Sequence, residues 1–191
     1  MKYGKFDDSR KEYVIDTPYT PYPWINYLGS DDYFTLFSNT AGGYSFFKDP
    51  RERRITRYRY NNVPIDSEGR HFFIKEDGVV WNIGARPTNT PLDAYEARVG
   101  LGYTKITSSK NDLEASQLAF VPKGYQGEIQ QVTLKNNSKV KKSFSIYSYI
   151  EFALWDAQDD MTNYQRNYNI GEVLIKDSAI YHLTEYRERR N

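Results

Sequence analysis

One stretch of thirteen residues near the end of the chain, Trp155 to Asn167, concentrates the side chains best suited to hold a ligand. It contains two aromatic rings, three carboxylates, two glutamines, two asparagines and one arginine. Flat rings can cover the apolar face of a sugar, while amides and carboxylates bind its hydroxyl groups. A connection between strands usually needs only about two to five residues. The stretch is therefore either a sugar-contacting loop or a solvated loop held by Asx turns, and composition leaves both open.

The rest of the chain offers little catalytic chemistry. His71 and His182 each lie inside a strand pattern without a second histidine or cysteine at ligand spacing, so we expect no metal site. Three adjacent carboxylate pairs occur, but neighbouring strand residues point to opposite faces and do not form an acid pair. The pairs are Asp7-Asp8, Asp31-Asp32 and Asp159-Asp160. The residues alone therefore indicate a non-catalytic protein, with carbohydrate contact as the leading hypothesis.

Charge and composition exclude several classes of protein. Among 191 residues, 26 basic side chains balance 25 acidic ones, which argues against a nucleic-acid partner. Cysteine is absent, so disulfides, thiolate metal sites and a cysteine nucleophile are excluded. The charged opening Met1 to Asp8 precedes no apolar run, so we expect no signal peptide, no membrane contact and a cytoplasmic location.

Strand patterns separated by turn residues fill most of the chain and predict an all-β protein. Tyrosine occurs 18 times and phenylalanine 10 times, which favours strands. No segment keeps a helical period, so we predict a large antiparallel β-sandwich. The predicted strands are two within 2–15, then 24–28, 33–38, one after Gly42-Gly43, 55–60, 71–75, 79–81, 95–99, 102–107, 113–121, 128–135, 142–154, 171–176 and 179–184.

Three of these segments carry more specific expectations. Residues 142–154 should form a long strand with one apolar face. Within 51–60, Arg57 and Arg59 should face carboxylates, opposite Tyr58 and Tyr60. The proline-rich segment 17–24 could line a groove or be pinned to the core by its rings, and pinning is favoured because such a segment frays without an anchor.

Several long motifs together resemble the N-terminal part of cellobiose phosphorylases, which are inverting disaccharide phosphorylases of glycoside hydrolase family 94. The resemblance runs from end to end of the chain, and the cellobiose type fits best through residues 57–62 and 159–167. The motifs are the 2–15 opening, Pro21 to Gly29, Ser38 to Phe46, Arg57 to Asn62, Thr162 to Asn167 and Thr184 to Asn191.

The resemblance implies an incomplete, supersandwich-type domain over residues 1–191, ending before a linker and a catalytic helical barrel. The catalytic acid and the phosphate-binding residues belong to that barrel, so no catalytic residue is expected here and the isolated chain should be inactive. The intact enzyme splits cellobiose with inorganic phosphate as co-substrate and without a cofactor. It is typically a homodimer, and its sandwich loops lie near the entrance to the active site.

The resemblance also implies roles within the 155–167 stretch. Arg166, with Gln165 and Asn163, is expected to reach the leaving-sugar site or its rim, while Asp160 and Trp155 shape the loop. Arg166 could equally brace the sandwich against the barrel. For the polypeptide itself three hypotheses stand: a part of a phosphorylase, a free-standing carbohydrate-binding module, or a non-functional remnant.

Overall fold

A computed structural model describes residues 3–60, 63–154, 156–161 and 169–186, without the side chains of Asn169 and Tyr186. In these ranges the chain forms fourteen strands and one short helix. The strands are β1 Gly4–Asp7, β2 Glu12–Ile15, β3 Ile25–Ser30, β4 Tyr33–Ser38, β5 Ser45–Phe47, β6 Arg70–Glu76, β7 Val79–Asn82, β8 Ala94–Val99, β9 Tyr103–Lys110, β10 Leu113–Phe120, β11 Ile129–Asn136, β12 Ser145–Ile150, β13 Asn169–Lys176 and β14 Ala179–Tyr186. The helix, α1, is Ala157–Met161.

The strands assemble into four antiparallel sheets. The largest has six strands in the order β1-β2-β8-β9-β10-β11. Two three-stranded sheets, β3-β4-β5 and β12-β6-β7, and the hairpin β13-β14 complete the set. Asp77 and Gly78 connect β6 to β7 with φ values of 48° and 79°, the left-handed geometry that tight hairpins require. The predicted all-β, antiparallel sandwich is confirmed.

The core lies between the six-stranded sheet and the two three-stranded sheets. Strand β10 alternates buried and half-buried residues along its whole length, as expected for a strand with one face on a core. Trp81 is fully buried at the centre. The core residues are Ile15, Ala97, Ile106, Leu113, Ala115 and Ala119 from the six-stranded sheet, and Leu28, Phe37, Ala41, Ile74, Trp81 and Ile83 from the opposite side.

Strand β12 is shorter and more exposed than its sequence predicts. It covers Ser145–Ile150, not 142–154, and all six of its residues are exposed. Ile146 lies beside Ile74 in the register, yet Ile74 is 0% exposed and Ile146 is 43% exposed. In the described ranges the six-stranded sheet ends at β11, so the layer that covers β6 does not extend over β12.

The hairpin β13-β14 shares this exposure. Val173, Ile175 and Leu183 are 59%, 75% and 59% exposed. The hairpin approaches the preceding segment through His182, whose ring stacks on Phe152 at a centroid distance of 4.4 Å. Val173 pairs with His182 and Leu183 pairs with Glu172, so apolar side chains are exposed on both faces of the hairpin.

The arginine segment, residues 51–59, begins in a turn at 51–53 and does not form the predicted strand over 55–60. It makes two isolated bridges, Arg54 with Phe46 and Thr56 with Phe152, in place of a ladder. Its backbone makes hydrogen bonds to β5, to residues 151–153 and to α1, among them Ile55 N–H to Ser45 O at 2.8 Å and Arg57 N–H to Glu151 O at 2.9 Å. Separate backbone hydrogen bonds, not a regular ladder, therefore hold this segment.

Trp81→Ala tests the position of the core. Removing a fully buried indole should lower the free energy of unfolding by about 3–5 kcal/mol, because both burial and packing are lost. Tyr125→Ala is the control, since Tyr125 is 58% exposed and such a change normally costs less than about 0.5 kcal/mol. Equal losses in chemical denaturation would contradict this core.

Candidate functional site

The described part of the 155–167 stretch begins with a capped helix, not the loop that its composition predicts. Asp156 accepts hydrogen bonds from the backbone N–H groups of Gln158 and Asp159 at 2.7 and 3.1 Å. This is an N-cap arrangement, and it explains why one helical turn starts at Ala157. Burial disfavours the charged carboxylate, but the N–H of Asp159 and the guanidinium of Arg51 outweigh it and lower the pKa of Asp156.

Asp160 lies at the other end of α1 and is buried, with 3% exposure. Its Oδ2 atom forms an ion pair with Arg57 Nε at 3.0 Å. Its backbone carbonyl accepts a hydrogen bond from Arg59 Nη2 at 3.3 Å. These contacts tie Asp160 to the arginine segment.

The other predicted site residues lie outside the part of the chain that the structure describes. These are Trp155, Asn163, Gln165 and Arg166. Their contact with a sugar stays a prediction, as does the proposed contribution of Asp160. What the structure does place is α1, which ends at Met161.

A buried carboxylate that the sequence does not single out organises the neighbouring motif. Asp66 is 1% exposed and accepts hydrogen bonds from the hydroxyls of Ser38, Thr40 and Tyr58 at 2.6, 2.6 and 2.5 Å. Burial, and then the charge of Asp66, raise the pKa of Tyr58, so its phenol remains a donor. A Cβ on Gly42 would meet the Asp66 carboxyl at 2.4 Å, which explains a glycine at that position.

Tyr58 and Tyr60 face away from Arg57 and Arg59, as the alternation predicts. Tyr60 hydroxyl lies 2.8 Å from the hydroxyl of Tyr44. Tyr58 and Tyr60 border a cleft of about 410 Å³, here called the tyrosine cleft. Its lining is Tyr22, Pro23, Ile25, Tyr58, Tyr60, Val63 and Ile65. Tyr22 and Tyr60 are exposed, and exposed aromatic rings have the chemistry of a surface that can stack on a sugar.

The proline-rich segment combines both of its predicted roles. Trp24 packs against the core and contacts the rings of Tyr3 and Tyr13, each at a centroid distance of 5.9 Å. Tyr22 is 75% exposed and lines the tyrosine cleft. The segment is therefore pinned by Trp24 and presents Tyr22 to solvent.

A larger cleft of about 510 Å³ lies beside β12. Tyr33, Phe72 and Ile150 contribute to its walls. Arg70, also in the lining, is held by an ion pair with Glu128 and a 2.6 Å hydrogen bond to Thr35 Oγ1. The cleft lies where the six-stranded sheet ends, so we interpret it as a gap in the cover of that sheet.

His71 is a buried, neutral side chain. Its Nε2 atom lies 3.1 Å from the carbonyl oxygen of Glu68, and its ring stacks on Tyr149. Burial lowers the pKa of His71 to about 4. No three histidine, aspartate or glutamate side chains converge as metal ligands in the described ranges. Within the same ranges, no helix has the length and apolarity needed to cross a membrane.

Comparison with known families identifies the sandwich. Residues 11–191 match the family model described as glycosyl hydrolase 94, supersandwich domain. The chain belongs to this family. The glycosyl hydrolase 94 assignment confirms the resemblance at the level of the family and agrees with the all-β architecture.

The relatives of this glycosyl hydrolase 94 chain include several disaccharide phosphorylases. An N,N'-diacetylchitobiose phosphorylase of Vibrio proteolyticus is 39% identical over 97% of this chain and 24% of its own length. Its counterpart in Vibrio furnissii is 37% identical over 86% of this chain and 21% of its own length. A 3-O-beta-D-glucopyranosyl-beta-D-glucuronide phosphorylase of Paenibacillus borealis is 33% identical over 95% of this chain and 22% of its own length. The chain thus spans about a quarter of the length of these relatives.

His71 predicts a specific pH dependence of stability. The unfolded chain binds a proton near pH 6.5, whereas folded His71 binds one only near pH 4, so acid favours unfolding across this window. We expect the free energy of unfolding to fall by up to about 3 kcal/mol from this group between pH 7 and pH 4.

The His71→Gln variant is the matched comparison, because an amide can still approach the Glu68 carbonyl but does not titrate. Its stability should depend less steeply on pH between 4 and 6.5 in urea titrations. Parallel curves for the two proteins would show that His71 does not carry this dependence.

Proposed function

We propose that this chain is the sandwich domain of a glycosyl hydrolase 94 disaccharide phosphorylase. The observation that carries the proposal is the match over residues 11–191, together with 39% identity to a named phosphorylase across nearly the whole chain. The relatives are about four times longer, which agrees with catalysis by residues outside the 191 described by this sequence.

The proposed reaction is reversible phosphorolysis with inversion. A phosphate oxygen attacks the anomeric carbon, the bond to the leaving sugar breaks, and a carboxylic acid donates a proton to the leaving oxygen. The products are a sugar 1-phosphate and a free sugar. Phosphate takes the place of a protein nucleophile, so a single acid suffices, and no residue of this chain is assigned to that role.

Two substrates are proposed for testing. Cellobiose follows from the sequence motifs at 57–62 and 159–167. N,N'-diacetylchitobiose is supported by the names of the two Vibrio relatives. Both are disaccharides whose leaving sugar would have to meet the rim of the site.

The proposed contribution of the sandwich to that rim is the segment that follows α1. Arg166, Gln165 and Asn163 would bind hydroxyls of the leaving sugar, while Asp160 and Trp155 shape the segment. The exposed apolar side chains of β12 to β14 would contact the catalytic part of the same enzyme. A homodimer and a cytoplasmic location complete the proposal.

A free-standing carbohydrate-binding module is the second candidate, because of the tyrosine cleft. Tyr22 and Tyr60 are 75% and 54% exposed, an arrangement that could bind sugar without catalysis. This candidate requires the isolated 191-residue chain to bind cello-oligosaccharides in calorimetry.

A chimera tests the first candidate. This chain would replace the matching quarter of the Vibrio proteolyticus relative, and phosphate-dependent release of sugar 1-phosphate would be measured with cellobiose and with N,N'-diacetylchitobiose. We expect activity from the chimera and none from this chain alone or from the relative without its matching quarter. A chimera no more active than that shortened relative, beside an active parent enzyme, would refute the proposal.

The substitution Arg166→Ala tests the rim. In the chimera it should raise KM for the acceptor sugar by about tenfold, since one charge-assisted hydrogen bond is lost. Gln158→Ala is the control on the exposed side of α1. Unchanged KM and kcat in Arg166→Ala would remove this residue from the sugar site.

A further inference from the structure

We propose that the edge strand β1 pairs with β1 of a second copy of this chain, antiparallel and centred on Phe6, so that the six-stranded sheet continues across a two-fold axis. The inference rests on the proposed function for the homodimer, and it assigns that dimer a surface. The residues that carry it lie in β1 and in the two strands that follow it in the sheet, β2 and β8.

Strand β1 has a free edge. Within the described ranges only β2 pairs with it. A hydrogen bond of 3.0 Å from Asp16 N–H to Tyr3 O shows which backbone groups β2 uses. Every second residue of an antiparallel strand bonds to the same neighbour, so Lys5 and Asp7 also bond to β2. The N–H and C=O groups of Phe6 therefore point away from β2 and are available to another strand.

Phe6 is exposed although it lies on the core face of the sheet. It is opposite Tyr13 in the register, and the two rings meet edge to face at a centroid distance of 4.9 Å. Tyr13 and the residue opposite it in β8, Val99, both pack against the core, whereas Phe6 is 77% exposed. Leu101, which is 93% exposed, borders the same cleft of about 470 Å³ as these three residues. The apolar row thus ends in solvent, as expected at a contact surface.

The sequence of β1 permits one register for pairing with itself. Outward-pointing backbone groups must meet, so Phe6 can lie opposite Phe6, Gly4 or Asp8 of the second copy. The register with Gly4 places Lys5 opposite Lys5, and the register with Asp8 places Asp7 opposite Asp7. Like charges directly opposite each other destabilise a strand pair. The register centred on Phe6 instead places each Lys5 opposite an Asp7.

That register suits the side chains on both faces of the sheet. On the core face the two Phe6 rings become neighbours, since a hydrogen-bonded pair places its Cα atoms about 5.5 Å apart, and aromatic cross-strand pairs are stabilising. On the outer face Lys5 is exposed. Asp7 is held by Arg98 at 3.2 Å and by the Ser9 hydroxyl at 2.7 Å, so its carboxylate is already oriented for the incoming ammonium. Such an exposed ion pair contributes little affinity but selects the register.

The opposite edge of the sheet, β11, lacks this self-complementarity. Its sequence contains one charged residue, Lys135. Glu128, directly before the strand, forms an ion pair with buried Arg70. A lysine on an edge strand also deters pairing with strands that offer it no carboxylate. Lys5 therefore favours a second copy of β1 over β11 or an unrelated edge.

Sedimentation of the 191-residue chain over a range of concentrations tests the dimer. A four-residue edge should give a reversible, concentration-dependent dimer. Lys5→Glu and Phe6→Ser should each raise its dissociation constant about tenfold or more, because every change acts twice across a two-fold axis. Lys5→Arg should keep the parent value, and so should Lys135→Glu, the matched charge reversal on β11.

Three results would overturn the proposal. The parent chain could remain monomeric up to about 1 mM. The parent and Lys5→Glu could share one dissociation constant. Lys135→Glu could weaken the dimer as much as Lys5→Glu does. Circular dichroism at low concentration confirms that each variant keeps the fold, which is expected because Lys5, Phe6 and Lys135 are exposed.

Disulfide formation tests the register, because the chain has no cysteine of its own. Lys5 and Asp7 of two copies would form a non-hydrogen-bonded pair with Cα atoms about 4.5 Å apart, within reach of a disulfide. An equal mixture of Lys5→Cys and Asp7→Cys chains should therefore give mainly the mixed disulfide, and it keeps one Lys5–Asp7 ion pair. Lys5→Cys chains alone should crosslink more slowly, since their cysteines are displaced by two residues along the strands. Crosslinking of Lys5→Cys alone at the rate of the mixture would contradict the register.

The proposed function is decided separately by the chimera. An active chimera beside a monomeric 191-residue chain would keep the proposed function and remove β1 as its dimer surface. An inactive chimera beside a 191-residue chain that forms the mixed disulfide would support the β1 pairing and count against the proposed function.

Discussion

The buried carboxylate of Asp66 is the constraint on which the site side of this sandwich depends. Three hydroxyls converge on it, from the end of β4, from the turn that follows and from the arginine segment. The third, Tyr58, fixes one side of that segment. Because successive residues of an extended chain point to opposite sides, Arg57 and Arg59 must then face the other way. That is the direction in which α1 lies.

Two regions of the molecule are thus held by different kinds of interaction. Apolar packing between the six-stranded sheet and the three-stranded sheets supplies the core, with Trp81 and Phe37 completely buried. Around the arginine segment, ion pairs and hydrogen bonds of buried carboxylates and guanidiniums hold the chain in place. Such groups contribute little net stability, but a wrong arrangement would leave a charge unpaired, so they favour one geometry. The proposed sugar site would require groups held in one such geometry.

Local patterns predicted the strands because period-two alternation and turn residues act over a few positions. Strand β4 and the β6-β7 hairpin follow the sequence prediction closely. Helix α1 was missed because five residues are too few to show a helical period, although Asp156 followed three residues later by Asp159 is a capping signal. The exposure of β12 could not be predicted, since the sequence pattern of an apolar face is the same whether or not another layer covers that face.

The organisation of the site was harder to predict because it depends on distant partners. Asp66 and its partner Ser38 are 28 positions apart in the sequence, and Arg57 and its partner Glu151 are 94 positions apart. Nothing near Asp66 in the sequence distinguishes it from an ordinary turn aspartate. The alternation of Arg57 to Tyr60 did predict that Arg57 and Arg59 face carboxylates, but not that Tyr58 binds Asp66. The residue that would bind sugar most directly, Arg166, lies outside the described part of the chain.

Hydrogen exchange in an Asp66→Asn variant tests the dependence of α1 on Asp66 most directly. The amides of Ala157 and Asp160, bonded to Arg51 O and Asp156 O, report on α1, while those of β10 report on the core. Loss of the carboxylate should accelerate exchange in α1 relative to β10, because Tyr58 no longer fixes the side from which Arg57 reaches Asp160. Unchanged exchange in α1, or an equal acceleration in α1 and β10, would contradict the account.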